Sequence, residues 1–161
     1  MLRGTLAVGV LFLLLCVAPL TARERGQDGL RQDMEFARQK VFPALVNISV
    51  VMESHGGGRS RRNAGAGSGV IVSVAGHVVT NYHVAEHAKR ITCRLPSKET
   101  IDADIVAHDP LTDLTILKLR MSTRKDPNIP LPYALIGNSD ELRTGDYVLA
   151  MGNPRGLSSS M

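Results

Sequence analysis

The sequence predicts an all-β domain, either a closed antiparallel barrel or a sandwich. Six short runs of β-branched and other apolar residues follow one another between residues 44 and 119, and turn residues separate them. Helical periodicity is almost absent from this stretch. Short strands at this spacing without intervening helices are typical of barrels and sandwiches, whereas parallel α/β folds alternate strands with helices.

Length and composition limit the classes of protein that this chain can be. It has 161 residues, of which 43% are hydrophobic and 21% charged. These values exclude a disordered tail, a collagen and a coiled coil. The net charge is +4 but only 4% of residues are aromatic, so we expect no nucleic-acid partner. The two cysteines, Cys16 and Cys93, are far apart, which excludes a disulfide scaffold and a CxxC zinc site.

Residues 1–22 have the pattern of a secretory signal peptide. The positive charge of Arg3 precedes an uncharged run over residues 5–20, and Ala22 is a small residue at its end. The run is shorter than the roughly 20 residues that a membrane-spanning helix requires. We therefore expect export to the periplasm or another extracytoplasmic compartment. Leu20 is unusually large for its place before the expected cleavage site, so a membrane tether through an uncleaved N-terminus is the alternative.

The next stretch, residues 23–40, is expected to be a polar leader followed by a short helix. The helix is predicted over residues 30–40, because apolar residues recur there at helical spacing: Leu30, Met34 and Ala37. Pro43 disfavours the helical conformation of the residue before it, so the helix should end before that point.

Residues 41–125 are predicted to form a barrel. Strands are expected over residues 44–52, 69–74, 77–81, 90–95, 100–107 and 113–119. The turn residues between them are Ala75-Gly76, Pro96-Ser97-Lys98 and Asp109-Pro110. Residues 126–161 begin with a proline-rich connector and are predicted to carry a seventh strand, over residues 146–151, that opens a second unit.

Residues 54–67 (SHGGGRSRRNAGAG) are predicted to form a loop between two strands. The many glycines and the basic cluster Arg59, Arg61 and Arg62 favour a mobile, solvated loop, with a regulatory or partner-binding loop as the alternative. The glycines at 65, 67 and 69 open a strand, whereas those of a dinucleotide-binding fingerprint open a helix. This difference excludes such a site.

His83 and Asp113 are the candidate catalytic residues. His83 follows the predicted strand that ends at residue 81, and Asp113 opens the strand at residues 113–119. The ends of two strands can meet in a barrel, where a carboxylate fixes the tautomer and the orientation of an imidazole. Such a pair would supply the general base of a nucleophilic triad. The spacing alone is equally compatible with two surface residues.

Four sequence motifs occur around this pair, in the following order: AGSGVI (66–71), TNYHV (80–84), DPLTDL (109–114) and LRTGDYVLAMGNPRGL (142–157). Together they resemble the HtrA (Do/Deg) family of trypsin-like serine proteases, from about residue 41 to residue 161. The resemblance implies an all-β, chymotrypsin-like double β-barrel, of which this chain holds the first barrel and the start of the second. It implies that His83 is the general base, that Asp113 orients it, and that Asp109 is a turn residue. It implies no cofactor and no metal.

The same resemblance implies a function. A member of this family is a serine endopeptidase of protein quality control that cuts unfolded or misfolded exported polypeptides, usually as a homotrimer. In members of this family the nucleophile lies in a Gly-Asn-Ser-Gly-Gly motif, several tens of residues beyond the Gly-Asn-Pro segment found here at 152–154. Ser139 is expected to be a turn residue, and Ser158, Ser159 and Ser160 lack flanking glycines that could shape an oxyanion hole. The chain is therefore expected to be an N-terminal fragment that lacks its nucleophile and is inactive as it stands.

Two other functions fit parts of the sequence. A non-catalytic, protease-like binding domain would leave the strand at 146–151 unpaired and an apolar face uncovered, which predicts aggregation or a partner subunit. A zinc metallopeptidase would use His83, Glu86 and His87, which match H-x-x-E-H. That pattern requires a long helix and a third ligand, whereas the flanking sequence is β-rich.

Cys93 lies in an alternating strand and is expected to be a buried hydrophobe.

Overall fold

A computed structural model of the chain describes residues 21–56 and 59–152, with side chains described from residue 28 onward except at 54–61. The chain divides into two compact units, Met1–Asp33 and Met34–Met161. The predicted signal peptide, apart from its last two residues, lies outside the described residues. Within the described ranges, no helix is both long and apolar enough to cross a membrane.

Helix α1 spans Thr21–Val41 and ends two residues before Pro43. The helix predicted over residues 30–40 is confirmed, but the residues expected to be a polar leader are helical as well. Glu35 illustrates why a polar sequence can be helical. Its carboxylate accepts hydrogen bonds from Arg38 Nε and Nη2, each at 2.8 Å, and from Gln39 Nε2 at 2.9 Å. These bonds lower the pKa of Glu35 to about 2, and the hydrogen bonding to Arg38 is the largest cause.

Six antiparallel strands form a closed barrel, which decides between the two predicted architectures. The strands are β1 Leu45–Gly56, β2 Arg59–Ile71, β3 His77–Asn81, β4 Ala88–Arg94, β5 Thr100–Asp109 and β6 Leu114–Leu119. The neighbours around the barrel follow the order β1-β2-β3-β6-β5-β4, and β1 pairs with β4 to close it. Helix α2, Tyr82–Ala85, is a single turn between β3 and β4.

The core consists mainly of the inward-facing residues of these strands. In β1 alternate residues are buried, at Val46, Ile48 and Val50. The other strands contribute buried side chains at the same period of two: Ile71, Val78, Ile91, Cys93, Ile101, Ala103, Leu117 and Leu119. Burying one such aliphatic side chain stabilises the fold by roughly 1.5–3 kcal/mol. Cys93 is fully buried, as the sequence predicted, and its burial raises the pKa of the thiol to about 12.

The prediction of a loop over residues 54–67 is wrong, because this stretch belongs to β1 and β2. The two strands pair from Leu45 opposite Val70 to Gly56 opposite Arg59, and residues 57–58 lie outside the described residues. The glycines reflect close packing. A Cβ at Gly69 would lie 2.8 Å from Ile48 Cδ1, so only glycine fits there without a shift of the core.

The strand predicted over residues 146–151 is also not formed. This segment has no regular secondary structure, and Gly152 makes only an isolated β-bridge. Within the described part of the chain, no neighbouring strand pairs with it, and a strand needs such a partner for its backbone groups. Tyr147 and Val148 are 83% and 72% exposed. The assignment of residues 126–161 to a second barrel stays a prediction.

Candidate active site

Strand pairing explains why His83 and Asp113 meet. Asn81, the last residue of β3, pairs with Leu114, the first residue of β6. Asp113 immediately precedes Leu114, and α2 with His83 immediately follows Asn81. Because β3 and β6 run antiparallel, the exit from one and the entry to the other lie at the same edge of the barrel.

The two side chains form the hydrogen bond that a general base requires. His83 Nδ1 lies 2.8 Å from Asp113 Oδ2, and the His83 backbone N–H donates to Asp113 Oδ1 at 3.0 Å. The side chains are 67% and 44% exposed. Among the described residues, the imidazole is hydrogen-bonded through Nδ1 only. With the proton on Nδ1 facing the carboxylate, Nε2 presents a lone pair to solvent and can accept a proton.

The surroundings of Asp113 favour its ionised form. The His83 backbone N–H is the largest cause that lowers the pKa of this carboxyl. The side chain of His83 lowers it further by its hydrogen bond and its charge, and the Asn81 amide adds a smaller contribution. Asp113 therefore carries a negative charge across the neutral range, where it can stabilise an imidazolium.

Asn81 and Tyr82 belong to the site, although their positions in the sequence predicted no role for them. The Tyr82 backbone N–H donates to the Asp113 carbonyl at 2.9 Å. Asn81 Nδ2 donates to Asp113 Oδ2 at 3.1 Å and to the Asp113 carbonyl at 3.3 Å. Asp113 has a backbone φ of 56°, in the left-handed region. The available signal was a polar amide at the strand end, two residues before the histidine.

Asp109 shapes the turn that presents Asp113, as the sequence predicted. Its carboxylate accepts hydrogen bonds from the Leu111 backbone N–H at 3.1 Å and from Thr112 Oγ1 at 2.7 Å. The Thr112 hydroxyl is the largest cause that lowers the pKa of Asp109. Residues 110–113 form the turn between β5 and β6, so Asp109 fixes the geometry from which β6 starts.

Helix α2 is held on the barrel by three side chains. Ala85 is fully buried, and Val84 lies against Gly67, where an added Cβ would come within 2.7 Å of both Val84 methyl groups. The ring of Tyr82 contacts the ring of His108 edge-on, with centroids 5.3 Å apart. His108 Nδ1 is in turn hydrogen-bonded to Thr115 Oγ1 at 2.8 Å. No sequence pattern indicated the contact between Tyr82 and His108.

The geometry does not favour the zinc alternative. The H-x-x-E-H pattern needs one continuous helix to place both histidines on one face, whereas α2 has four residues and Glu86 and His87 lie in the turn after it. Glu86 Oε2 instead lies 3.6 Å from His87 Nε2. In the part of the chain that the structure describes, no three potential metal ligands come together.

Of the C-terminal serines that the sequence analysis considered, Ser139 lies within the described residues. Ser139 begins a short 3₁₀ turn, Ser139–Glu141, as expected of a turn residue. Asn138 Oδ1 caps this turn by accepting a hydrogen bond from the Asp140 backbone N–H at 3.1 Å. The serines at positions 158–160 lie outside the described residues.

Comparison with known proteins identifies sequences and folds similar to this chain. The family described as "Trypsin-like peptidase domain" matches residues 67–161. A "probable periplasmic serine endoprotease DegP-like" of Chlamydia trachomatis is 42% identical over 101 residues, which cover 63% of this chain and 19% of that protein. The mitochondrial serine protease HTRA2 of Bos taurus is 37% identical over 123 residues, which cover 76% of this chain and 25% of that protein.

Solved structures agree with these sequence matches. The HtrA-type protease AlgW with a decapeptide matches with a TM-score of 0.62 at 30% identity, over 77% of this chain and 42% of that one. The same protease with a tripeptide gives 0.64 at 33% identity, over 77% and 36%. The chain spans between 19% and 25% of the length of the two curated relatives above. By sequence and by fold, it belongs to the trypsin-like peptidase family and, within it, to the HtrA group of serine proteases.

Proposed function

We propose that this chain carries the histidine and the aspartate of the catalytic triad of a serine endopeptidase. His83 is the general base and Asp113 is the residue that orients it. The observation that carries the proposal is the 2.8 Å contact between His83 Nδ1 and Asp113 Oδ2, reinforced by the backbone N–H of His83 on the other carboxylate oxygen. Membership of the HtrA group supports the same roles.

The proposed mechanism uses Nε2 of His83 as the group that moves protons. Nε2 takes the proton of the serine hydroxyl as its Oγ attacks the carbonyl carbon of the scissile peptide bond. The imidazolium that results is stabilised by the Asp113 carboxylate. Nε2–H then protonates the leaving amine when the C–N bond breaks. In the second half-reaction Nε2 takes a proton from water as the water oxygen attacks the acyl carbon, and Nε2–H returns this proton to the serine Oγ when the ester bond breaks.

The proposal places the nucleophile and the oxyanion hole outside the described residues. It assigns residues 41–125 to the first barrel of the protease domain, and residues 126–161 to the connector and the start of the second barrel. The contact with Asp113 is the only hydrogen bond of the His83 ring among the described residues, so Nε2 is free to meet a serine supplied from elsewhere.

The proposed substrates are unfolded or misfolded polypeptides outside the cytoplasm. The solved structures of the relative AlgW contain short peptides, and the bacterial relatives are named as periplasmic endoproteases. The signal-like pattern of residues 1–22 supports export, with a membrane tether through an uncleaved N-terminus as the alternative. A homotrimer is the assembly that the family resemblance implies.

Hydrolysis by the product of the complete open reading frame that contains this sequence tests the proposal. We expect it to release fluorescence from a labelled, unfolded polypeptide and to bind a serine-directed phosphonate covalently. The H83A variant should lose both reactions. The D113N variant should lose turnover by a factor on the order of 10⁴, because the imidazole then loses its orienting charge.

H87A is the matched control, because His87 is exposed and contacts Glu86 rather than Asp113. It should retain full activity. Hydrolysis that survives H83A, or that a metal chelator abolishes while the phosphonate leaves it intact, would contradict the proposal.

A further inference from the structure

We propose that Asn81 is a positioning residue, which fixes the Asp113 carboxylate in the orientation that His83 requires. The inference rests on the proposed function only for its catalytic consequence. The geometry itself concerns one amide group, which donates both to the carboxylate and to the backbone carbonyl of the same aspartate.

The backbone of Asp113 needs external support. Its φ of 56° lies in the left-handed region, which only a few per cent of non-glycine residues adopt. In this conformation its carbonyl oxygen points back toward the end of β3, where Asn81 Nδ2 at 3.3 Å and the Tyr82 N–H at 2.9 Å both donate to it. These two bonds hold a conformation that is disfavoured by itself.

The donors to the carboxylate have two different origins. Both donors from His83, the backbone N–H and Nδ1, belong to the single-turn helix α2 and move with it. Asn81 ends β3 and is paired with Leu114, so its amide is anchored to the barrel. It donates to Oδ2, the oxygen that also contacts His83 Nδ1. Asn81 therefore sets the carboxylate relative to the barrel and independently of α2.

The ordinary role of an asparagine at this position is a helix cap, and the structure excludes it. Asn81 is the N-cap residue of α2, where an asparagine side chain usually accepts a hydrogen bond from the helix. Its side chain makes no such bond. The amide donates to Asp113 instead, so its interactions serve the aspartate.

The pKa of Asp113, followed by carboxyl ¹³C NMR, tests this proposal in N81A. Loss of the amide donor should raise the pKa of Asp113 relative to the unsubstituted protein, because a hydrogen bond to the ionised carboxylate is removed. N81D should raise it further, because two carboxylates would then share the site. The ¹⁵N shifts of His83 should show a loss of the tautomer with the proton on Nδ1 in N81A.

N138A is the matched control, because Asn138 does cap a local turn and has no contact with Asp113. It should leave the pKa of Asp113 and the His83 tautomer unchanged. An unchanged pKa and tautomer in N81A would overturn the proposal, as would an equal shift in N138A. Thermal unfolding of each variant shows that the protein remains folded.

The kinetic readout separates this inference from the proposed function. In an active enzyme, N81A should lower kcat by roughly tenfold with KM unchanged, because misorientation of the base affects the chemical step. If the NMR shifts occur but no hydrolysis is found for the unsubstituted protein, only the proposed function fails. If hydrolysis is found and N81A changes neither kcat nor the NMR shifts, only the role of Asn81 fails.

Discussion

Asp113 accepts hydrogen bonds from three consecutive residues, and its ionisation links the site to pH. Folding lowers the pKa of this carboxyl below its usual value near 3.8, chiefly through the backbone N–H of His83. The ionised form is therefore the form that folding stabilises. This stabilisation is fully present above about pH 4, near the pKa of the unfolded chain, and is lost as pH falls through the lower pKa of the folded state.

We expect D113N to unfold at a lower temperature than the unsubstituted protein at pH 7, because it lacks the charge that accepts the bonds from His83 and Asn81. The difference between the two melting temperatures should shrink as pH falls below about 4. Thermal unfolding followed by circular dichroism between pH 2 and pH 7 measures it. A difference that stays constant over this range would show that the charge of Asp113 does not contribute.

At the scale of elements, the site depends on how a single helical turn packs on a strand. Helix α2 has too few residues to be stable alone, so its position comes from tertiary contacts. Val84 occupies the space that the missing side chain of Gly67 leaves on β2. A change in β2 is therefore transmitted directly to the turn that carries His83.

G67A tests this packing. The new methyl would come within 2.7 Å of the Val84 methyl groups, so we expect a loss of about 1–3 kcal/mol in the free energy of unfolding and a displacement of α2. In the V84A background the same substitution should cost less by about 1 kcal/mol or more. Urea unfolding of the four proteins measures this coupling. G137A is the control, because an added Cβ there meets no atom within 4 Å, and additive effects of G67A and V84A would contradict the prediction.

The contact between Tyr82 and His108 gives a second prediction for the same element. H108A removes the ring that packs against Tyr82 at 5.3 Å, so the free energy of unfolding should fall by about 0.5–1.5 kcal/mol. Backbone amide exchange should accelerate at the amides of α2 more than in the core strands. H108F, which keeps a ring, should behave more like the unsubstituted protein. Equal exchange rates at α2 in H108A and in the unsubstituted protein would contradict this role.

The elements were predictable where apolar residues alternate and turn residues separate them. The strands β3 and β6 were found within one residue of their ends, because His77–Asn81 and Leu114–Leu119 carry this pattern. Residues 59–68, most of β2, were missed, since the glycines there have the composition of a loop and only the packing around them shows why they are small. The prediction of a strand over residues 146–151 was wrong although the residue pattern there suits a strand. A segment with this pattern cannot form a strand without a partner strand.

At the scale of the whole molecule, the pairing of distant strands decides which residues of the site could be predicted from the sequence. His83 and Asp113 were identified as candidates because they stand in recognisable sequence motifs, and the pairing of β3 with β6 brings the two motifs to one edge. Asn81 was not identified, because its role depends on the left-handed backbone of Asp113, which no residue pattern indicates. Pairing of strands that are distant in sequence therefore creates contacts that local patterns do not reveal.

Cys93 offers a probe of the intact barrel. It lies on β4 between β1 and β5, is fully buried, and has a thiol pKa raised to about 12 by that burial. In a C16S background, we expect modification by a thiol reagent at pH 8 to be roughly 10³-fold slower or more than in urea, because reaction requires opening of the barrel. A C93A/S97C variant in that background is the control, since residue 97 lies in the exposed turn before β5 and should react at once. Rapid native-state labelling of Cys93 would mean that the strands around it separate without global unfolding, and that the frame holding His83 and Asp113 together is only locally stable.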